Sequence, residues 1–158
     1  MIYVLFSLII VLVGPFLLPA YAGPGEDGIA LYNQQNYTAA LPKLQEAAEA
    51  GNGEAQYYLA WMYYRGNGVP ASNEVAVSWL KKSADSGHMG ATLDLGLAYE
   101  NGQGVAQDVE RAVSLYRIAA EAGHSQAMTN LGHAYSRGLG LEKSDVIAVE
   151  WYKKASNA

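Results

Sequence analysis

Residues 91–105 read ATLDLGLAYENGQGV, and two further copies of this pattern lie on either side of them in the chain. The copies read AQYYLAWMYYRGNGV over residues 55–69 and AMTNLGHAYSRGLGL over residues 127–141, so consecutive copies start 36 residues apart. A glycine outside these stretches recurs at the same spacing: Gly51, Gly87 and Gly123. A fixed period of this length is typical of repeat proteins, in which each unit is one supersecondary element.

The spacing of apolar residues predicts a first helix, helix A, in every unit. In the first unit these residues fall at i, i+4, i+7 and i+8, one face of a helix with 3.6 residues per turn: Ala55, Leu59, Met62 and Tyr63. A G-x-G pair follows in each unit, first at Gly66 and Gly68. Because glycine adopts positive φ without steric cost, these pairs are expected to end helix A. They lack the third glycine and the preceding strand of a dinucleotide-binding fingerprint, so we interpret them as structural.

A second helix, helix B, is expected after each glycine pair. It should start near a polar residue that can cap free backbone N–H groups: Asn73, Asp108 or Asp145. In the first two units it should end at Gly87 and Gly123. Two short amphipathic helices cannot bury both faces alone, so neighbouring units are predicted to stack into an all-α solenoid with one continuous core.

A fourth, degenerate unit is predicted upstream, over residues 23–50. Leu31 and Tyr32 would end its helix A, and the stretch 37–41 would open its helix B. Proline lacks a backbone N–H and is favoured at the start of a helix, so Pro42 is expected within the first turn of that helix B.

The order A-x-x-x-L-G-x-x-Y-x-x-G-x-G-V, followed by A-V and W-Y-x-K-A, resembles the Sel1-like repeat, a relative of the tetratricopeptide repeat with a longer loop between its helices. The resemblance covers three units, over residues 51–86, 87–122 and 123–158. Departures from the pattern are mild: Ala60 replaces the first glycine of the L-G pair, Leu141 replaces valine and Ser156 replaces alanine. The resemblance implies a right-handed α-solenoid of helix-turn-helix units that binds other proteins.

The composition excludes several classes of function. The 15 acidic and 10 basic residues give a net charge of −5, whereas proteins that bind nucleic acids present a basic face to the phosphates. The absence of cysteine excludes disulfides, thiolate metal sites and a cysteine nucleophile. The three histidines show no ligand spacing, so we predict no catalytic residue, no metal and no cofactor. The carboxylates of Asp94 and Glu100 are interpreted as solvated charges on helix A.

Residues 1–22 differ from the rest of the chain because they contain no charged side chain. An apolar run is followed by Gly14, Pro15 and Pro19, and then by the small-residue pattern Ala20-Tyr21-Ala22. This order predicts a secretory signal peptide cleaved after Ala22, and hence a periplasmic or secreted protein with no membrane association after cleavage. The alternative is an uncleaved anchor, although the unbroken apolar run is shorter than the roughly 20 residues that cross a bilayer.

The resemblance implies that the variable positions of helix A line a concave groove. The groove residues that we expect to contact a partner are Tyr57, Trp61, Tyr64, Arg65, Leu93, Leu97, Glu100, His133 and Arg137. Tyr57, Trp61 and Tyr64 fall at i, i+4 and i+7, and an aromatic stripe that the core does not require is typical of a binding surface. The alternative is that the degenerate unit folds against this stripe through Leu31 and Tyr32 and covers part of it.

These observations predict an exported, non-enzymatic scaffold that binds a protein or peptide, as an adaptor or an immunity-type protein. The resemblance also suggests an alternative, since some small secreted Sel1-like proteins are linked to β-lactam binding or hydrolysis. Those proteins are rich in cysteine, with a disulfide in each repeat, and this chain has no cysteine. A third hypothesis is a structural remnant without a partner.

Overall fold

The computed structural model describes residues 23–158, and the predicted signal peptide lies outside this range. Eight helices occupy the described residues: α1 (Pro24–Asn33), α2 (Tyr37–Glu49), α3 (Gly53–Arg65), α4 (Asn73–Asp85), α5 (Met89–Asn101), α6 (Val109–Glu121), α7 (Ser125–Arg137) and α8 (Asp145–Ser156). No strand is present between residues 23 and 158. Among these helices, none has the length and apolar character that spanning a bilayer requires.

Each helix packs against the next one along the chain, from α1 to α8. The odd-numbered helices are the A helices and the even-numbered ones are the B helices, so that α3 and α4, α5 and α6, and α7 and α8 form consecutive antiparallel pairs. This arrangement confirms the predicted all-α solenoid. It also explains why no unit buries its core alone, since each B helix contacts the A helix of the following unit.

The glycine pairs end the A helices as predicted. Gly102 caps α5 with φ of 67°, and Gly104 follows with φ of 70°. The backbone N–H of Asp108, at the start of α6, then donates to the carbonyl oxygen of Tyr99 over 2.9 Å. The other two loops repeat this bond, so each A–B loop is closed by the tyrosine that recurs in every unit.

The second glycine of each pair also touches the preceding unit. A Cβ at Gly104 would lie 2.3 Å from the backbone oxygen of Asn73, the first residue of α4. The same contact is made by the glycines one unit away: Gly68 rests on Tyr37, and Gly140 on Val109. Each loop therefore lies directly on the first turn of the previous B helix, where only a residue without a side chain fits.

Two of the predicted helix caps are wrong by one residue. Asp108 caps α6 through its side chain as expected, but α4 and α8 are capped by Ser72 and Ser144, and Asn73 and Asp145 are the first helical residues. The Ser72 hydroxyl accepts from the N–H of Val75 over 3.3 Å. The loop decides the position of the cap, because its length after the glycine pair is set by the bond to the tyrosine carbonyl.

Pro42 does not lie in the first turn of α2, as predicted, but in the interior of the helix. Its side chain is exposed, whereas Ala40 and Leu44 on the opposite side are fully buried. Proline removes one intrahelical hydrogen bond and crowds the preceding turn. The helix persists because packing of its buried face against α1 and α3 supplies most of the stability of a short helix.

The core consists of two apolar clusters that meet at one tryptophan. One cluster lies between α2 and α3 around Leu44, Leu59 and Met62, and the other extends through α4 to α7 around Leu131. Trp79 on α4 is half-buried and packs against both clusters. Trp79 is therefore a packing residue.

Candidate functional site

Three aromatic side chains of α3 form one continuous surface, here called the aromatic stripe: Tyr57, Trp61 and Tyr64. The ring centroids of Tyr57 and Trp61 are 6.3 Å apart, and those of Trp61 and Tyr64 are 5.5 Å apart, both edge to face. Tyr57 and Trp61 are half-buried, and Tyr64 retains 42% of its accessible surface. Such pairs gain about 0.5–1.5 kcal/mol beyond area burial, so the stripe is held in shape before any partner binds.

Two further side chains, Arg65 and His88, border the stripe. The guanidinium of Arg65, an exposed residue, lies 4.8 Å from the centroid of the Trp61 ring. His88 stacks on Tyr57 with ring centroids 4.4 Å apart. Its Nδ1 accepts from the N–H of Ala91, which caps α5, and burial lowers the pKa of His88. The imidazole is thus held neutral as a cap.

The degenerate unit packs beside the stripe rather than on top of it. Tyr32, near the end of α1, meets Tyr58 edge to face at 5.0 Å and Tyr37 at 5.3 Å. Tyr58 lies next to the stripe on α3, and its ring is edge-on to Tyr57 at 6.1 Å. Helix α1 therefore extends the aromatic surface and leaves part of the stripe exposed.

The remaining predicted groove residues have different environments. Leu97 is half-buried, and His133 and Arg137 are exposed. Glu100 is half-buried, and its carboxylate accepts a hydrogen bond from the hydroxyl of Tyr116. Leu93 was predicted to line the groove and is instead buried. Only 6% of it is exposed, and it belongs to the apolar core that α5 shares with α4 and α6. Its flank of the helix is buried because units stack on both sides of α5.

Asp94, interpreted from the sequence as solvated, is instead largely enclosed behind the stripe. Burial raises the pKa of its carboxyl group, and this outweighs the hydrogen bonds from the side chains of Tyr57 and Trp61, which lower it. Burial and the nearby carboxylate in turn raise the pKa of Tyr57 to about 12. The Oδ2 atom of Asp94 is buried and has no hydrogen-bond partner among the described residues. The one feature of the sequence that pointed to this position was the spacing of Asp94 from Leu97. The two residues are three apart and so lie on one face of α5.

A cavity of about 250 Å³, here called the Asp94 cavity, lies between α3, α4 and α5. Its walls are largely apolar, with Asp94 among the few polar groups; the wall residues are Ala60, Trp61, Tyr64, Ala76, Val77, Leu80, Asp94, Leu97, Ala98, Asn101 and Gln103. At its rim the Tyr64 hydroxyl donates to Oε1 of Gln103 over 3.2 Å. The cavity therefore combines the exposed stripe with a buried carboxylate.

The charge of Asp94 is expected to make stability depend on pH. Since burial raises its pKa above 3.8, the folded chain holds this proton at pH values where the unfolded chain has released it. The protonated carboxyl group therefore contributes fully to the free energy of unfolding below the pKa of Asp94 in the unfolded chain. This contribution is lost as pH rises through the pKa of Asp94 in the folded chain. We expect Asp94→Asn to have a larger free energy of unfolding than the wild type near pH 7, with the difference shrinking towards pH 4.

Urea unfolding at a series of pH values measures this difference. The groups that face Asp94 and could titrate are Tyr57, His88 and His124, and they are unchanged in the variant. Asp85→Asn, which removes an exposed carboxylate of α4, is the matched control. A difference between wild type and Asp94→Asn that stays constant with pH would contradict the expectation.

No three His, Asp or Glu side chains between residues 23 and 158 come together as a metal site would require. The described part of the chain therefore offers an aromatic surface and a cavity as its candidate site.

The family model described as Sel1 repeat matches residues 53–88, 91–124 and 125–158. The crystal structure of a Sel1 repeat protein from Oxalobacter formigenes superimposes with a TM-score of 0.81 at 34% identity, covering 86% of this chain and 54% of that one. A protective antigen of uropathogenic Escherichia coli strains that displays an SLR fold is 37% identical with a TM-score of 0.80, covering 85% of this chain and 30% of that one. This chain thus spans about half of the first protein and under a third of the second.

A more distant similarity extends to the cysteine rich protein B of Helicobacter pylori. It is 22% identical with a TM-score of 0.57, and the match covers 84% of this chain and 89% of that one. At this identity the likeness concerns the fold alone. No curated protein matches the chain.

Proposed function

Because the chain belongs to the Sel1 repeat family, whose members generally mediate protein interactions, we propose that it is an exported scaffold that binds a protein or peptide partner through the groove of its A helices. The observation that carries this proposal is the aromatic stripe. Three aromatic side chains lie together on α3 in edge-to-face contact, and the outermost is 42% exposed.

The chemistry of the stripe suits a partner that buries apolar surface at this end of the groove. Tyrosine, tryptophan and arginine are the residue types that most often dominate binding energy, because they give large contact area at low entropic cost. The surface changes along the solenoid, since the positions of Tyr57 and Trp61 are occupied by Thr129 and His133 in the third unit. A partner segment with apolar residues towards α1 and polar ones towards α7 fits this gradient.

Export is part of the proposal and rests on the composition of residues 1–22. An adaptor or an immunity-type role in the envelope would use the same surface, because each requires a preformed groove for a second protein. Sel1 repeat proteins are typically non-catalytic scaffolds, and the proposal assigns no catalytic residue.

Truncating the centre of the stripe is expected to weaken partner binding. Trp61→Ala should reduce affinity by about 2 kcal/mol or more, roughly 30-fold, because a partly buried aromatic anchor is lost. The measurement is affinity capture from the native envelope fraction with tagged wild type and variant in parallel, quantified by mass spectrometry. The partner is the protein whose recovery falls with Trp61→Ala.

His133→Ala is the matched control, because His133 occupies the equivalent position of α7 and is exposed. We expect it to change partner recovery much less. Circular dichroism shows whether each variant keeps its helicity. If Trp61→Ala unfolds the protein, Trp61 is a packing residue and the groove proposal fails; if it folds and binds normally, recognition lies elsewhere, on the B helices.

A further inference from the structure

A depression of about 460 Å³, here called the aromatic depression, lies where the end of α1 and the start of α2 meet α3. Among the described residues that line it, none carries a carboxylate. It adjoins the aromatic stripe, with which it shares two rings, so it belongs to the same groove. Five half-buried aromatic rings line it together with Arg65 and Asn67, and the rings are those of Tyr32, Tyr37, Tyr57, Tyr58 and Trp61.

The repeat itself does not demand aromatic rings at this place. The Asp94 cavity and a third cavity, between α5, α6 and α7, lie at the equivalent junctions of the following units. The 36-residue period relates two lining positions in all three places: Tyr58, Asp94 and Asn130 at one position, and Trp61, Leu97 and His133 at the other. Units therefore stack with non-aromatic side chains at both positions, and the rings of the first junction are a property of this site and not of the repeat.

The rings meet at steep angles, which leaves spaces between their faces. Tyr32 lies at 73° to Tyr58 with ring centroids 5.0 Å apart, and at 69° to Tyr37 with centroids 5.3 Å apart. Tyr57 lies at 77° to Tyr58. A groove lined by aromatic side chains is the kind of surface on which proline-rich segments dock, because the compact pyrrolidine ring packs against the aromatic faces.

The polar groups of the depression are mainly donors. The guanidinium of Arg65 carries five N–H groups and no acceptor, and the hydroxyl of Tyr58 can donate. The side chain of Asn67 is already engaged in a hydrogen bond with Tyr32. Proline has a carbonyl acceptor but no N–H, so a proline-rich segment matches this surface. A segment without proline would bring an N–H with every residue, and a cation would meet Arg65 without a carboxylate to pair with.

We propose that the aromatic depression binds a proline-rich segment of the partner protein in the polyproline II conformation. A proline ring would pack against Tyr32, Tyr58 and Trp61, and carbonyl groups of the segment would accept from Arg65 and from the hydroxyl of Tyr58. This inference rests on the proposed function and names the kind of segment that the groove would recognise. Polyproline II is already extended in the free peptide and has no internal hydrogen bonds, so its carbonyls are available and little ordering entropy is lost on binding.

The test uses short peptides, so it does not require the partner. The purified protein, labelled with ¹⁵N, is titrated with hexaproline amide and with a six-residue peptide of alternating glutamine and alanine. We expect hexaproline to shift the indole N–H of Trp61 and the amides of α3, and to leave the indole N–H of Trp151 on α8 unchanged. We expect the glutamine and alanine peptide to bind about ten-fold more weakly, because it is not fixed in the extended form and has no pyrrolidine ring.

Three variants make the test specific to the depression. Tyr58→Phe keeps the ring and removes the donor, so it should weaken hexaproline binding by about three-fold. Tyr58→Leu removes the ring as well and should weaken it by about ten-fold or more. The matched control is Tyr63→Phe, because Tyr63 lies on the same helix, is half-buried and packs on the apolar cluster of α2 and α3 outside the depression. We expect this control to bind hexaproline as the wild type does.

A fourth variant covers the case in which Tyr58→Leu loses helicity in circular dichroism. Arg65 is exposed, so Arg65→Ala should keep the fold while it removes the main donor of the depression. We expect this variant to bind hexaproline about three-fold more weakly or worse.

Several results would overturn the inference. Equal affinity for hexaproline and the glutamine and alanine peptide would show that the depression does not select proline. Tighter binding of maltohexaose would make it a carbohydrate site, and tighter binding of tetramethylammonium would make it a cation site. Hexaproline binding that is unchanged in both Tyr58→Phe and Arg65→Ala would place the peptide elsewhere. If every probe fails while capture still depends on Trp61, the groove proposal stands and only the inference about a proline-rich segment falls.

Discussion

Gly104→Ala is expected to lower the free energy of unfolding by roughly 3 kcal/mol, because the new methyl group meets two penalties. Gly104 has φ of 70°, in the left-handed region, where a Cβ costs about 1–2 kcal/mol. The Cβ would also lie 2.3 Å from the backbone oxygen of Asn73 and 2.8 Å from the nitrogen of Glu74. Backbone at the start of a helix cannot move aside as a flexible side chain would, so the loop of one unit would be pushed off the helix of the previous one.

Gly87→Ala separates these two penalties and is the matched control. Gly87 has φ of 87°, but a Cβ there has no atom within 4 Å. We expect this variant to lose about 1 kcal/mol of the free energy of unfolding, which is the cost of a Cβ at positive φ alone. Urea denaturation followed by circular dichroism gives both values. Equal losses for Gly104→Ala and Gly87→Ala would show that the contact between loop and helix places no constraint on the second glycine of the pair.

Gly96→Ala is expected to destabilise the protein by about 2 kcal/mol, although glycine-to-alanine changes inside a helix usually stabilise by up to about 1 kcal/mol. The reason is the buried ring of Tyr116, whose Cε1 would lie 2.6 Å from the new Cβ. The ring is held at its far end by the bond to Glu100, so it cannot withdraw without losing that bond.

A second substitution should reverse this loss. Tyr116→Leu alone removes a buried ring and is expected to cost about 1–3 kcal/mol. In the combination Gly96→Ala/Tyr116→Leu, the methyl group occupies space that the ring has left, so we expect the double variant to be more stable than the sum of the single effects by at least 1 kcal/mol. Additive effects in the same urea measurements would contradict direct contact between the two positions.

The first unit already contains this combination. Ala60 and Leu80 stand at the positions of Gly96 and Tyr116, and both are buried in the same core cluster. From the sequence, Ala60 was a mild departure from the repeat pattern with no consequence attached to it. In the structure it is one half of an exchange with Leu80, and both side chains line the Asp94 cavity.

Much of the candidate site followed from helical spacing. The stripe of Tyr57, Trp61 and Tyr64 was predicted from the i, i+4 and i+7 positions, and the structure places the three rings in contact. Leu93 and Asp94 were assigned to the surface and are instead buried or largely enclosed. Helical spacing tells which residues share a face, but the depth of that face depends on the helices of neighbouring units.

The sequence by itself determined the repeat, the two helices in each unit and the left-handed glycines, because these depend on interactions within about one turn of the chain. Only the tertiary structure decided which cap residue each loop selects, how α2 keeps Pro42 in its interior, and that Asp94 lies at a cavity. The physical reason is that these features arise where separate helices meet, and the space between two helices depends on side chains from both of them.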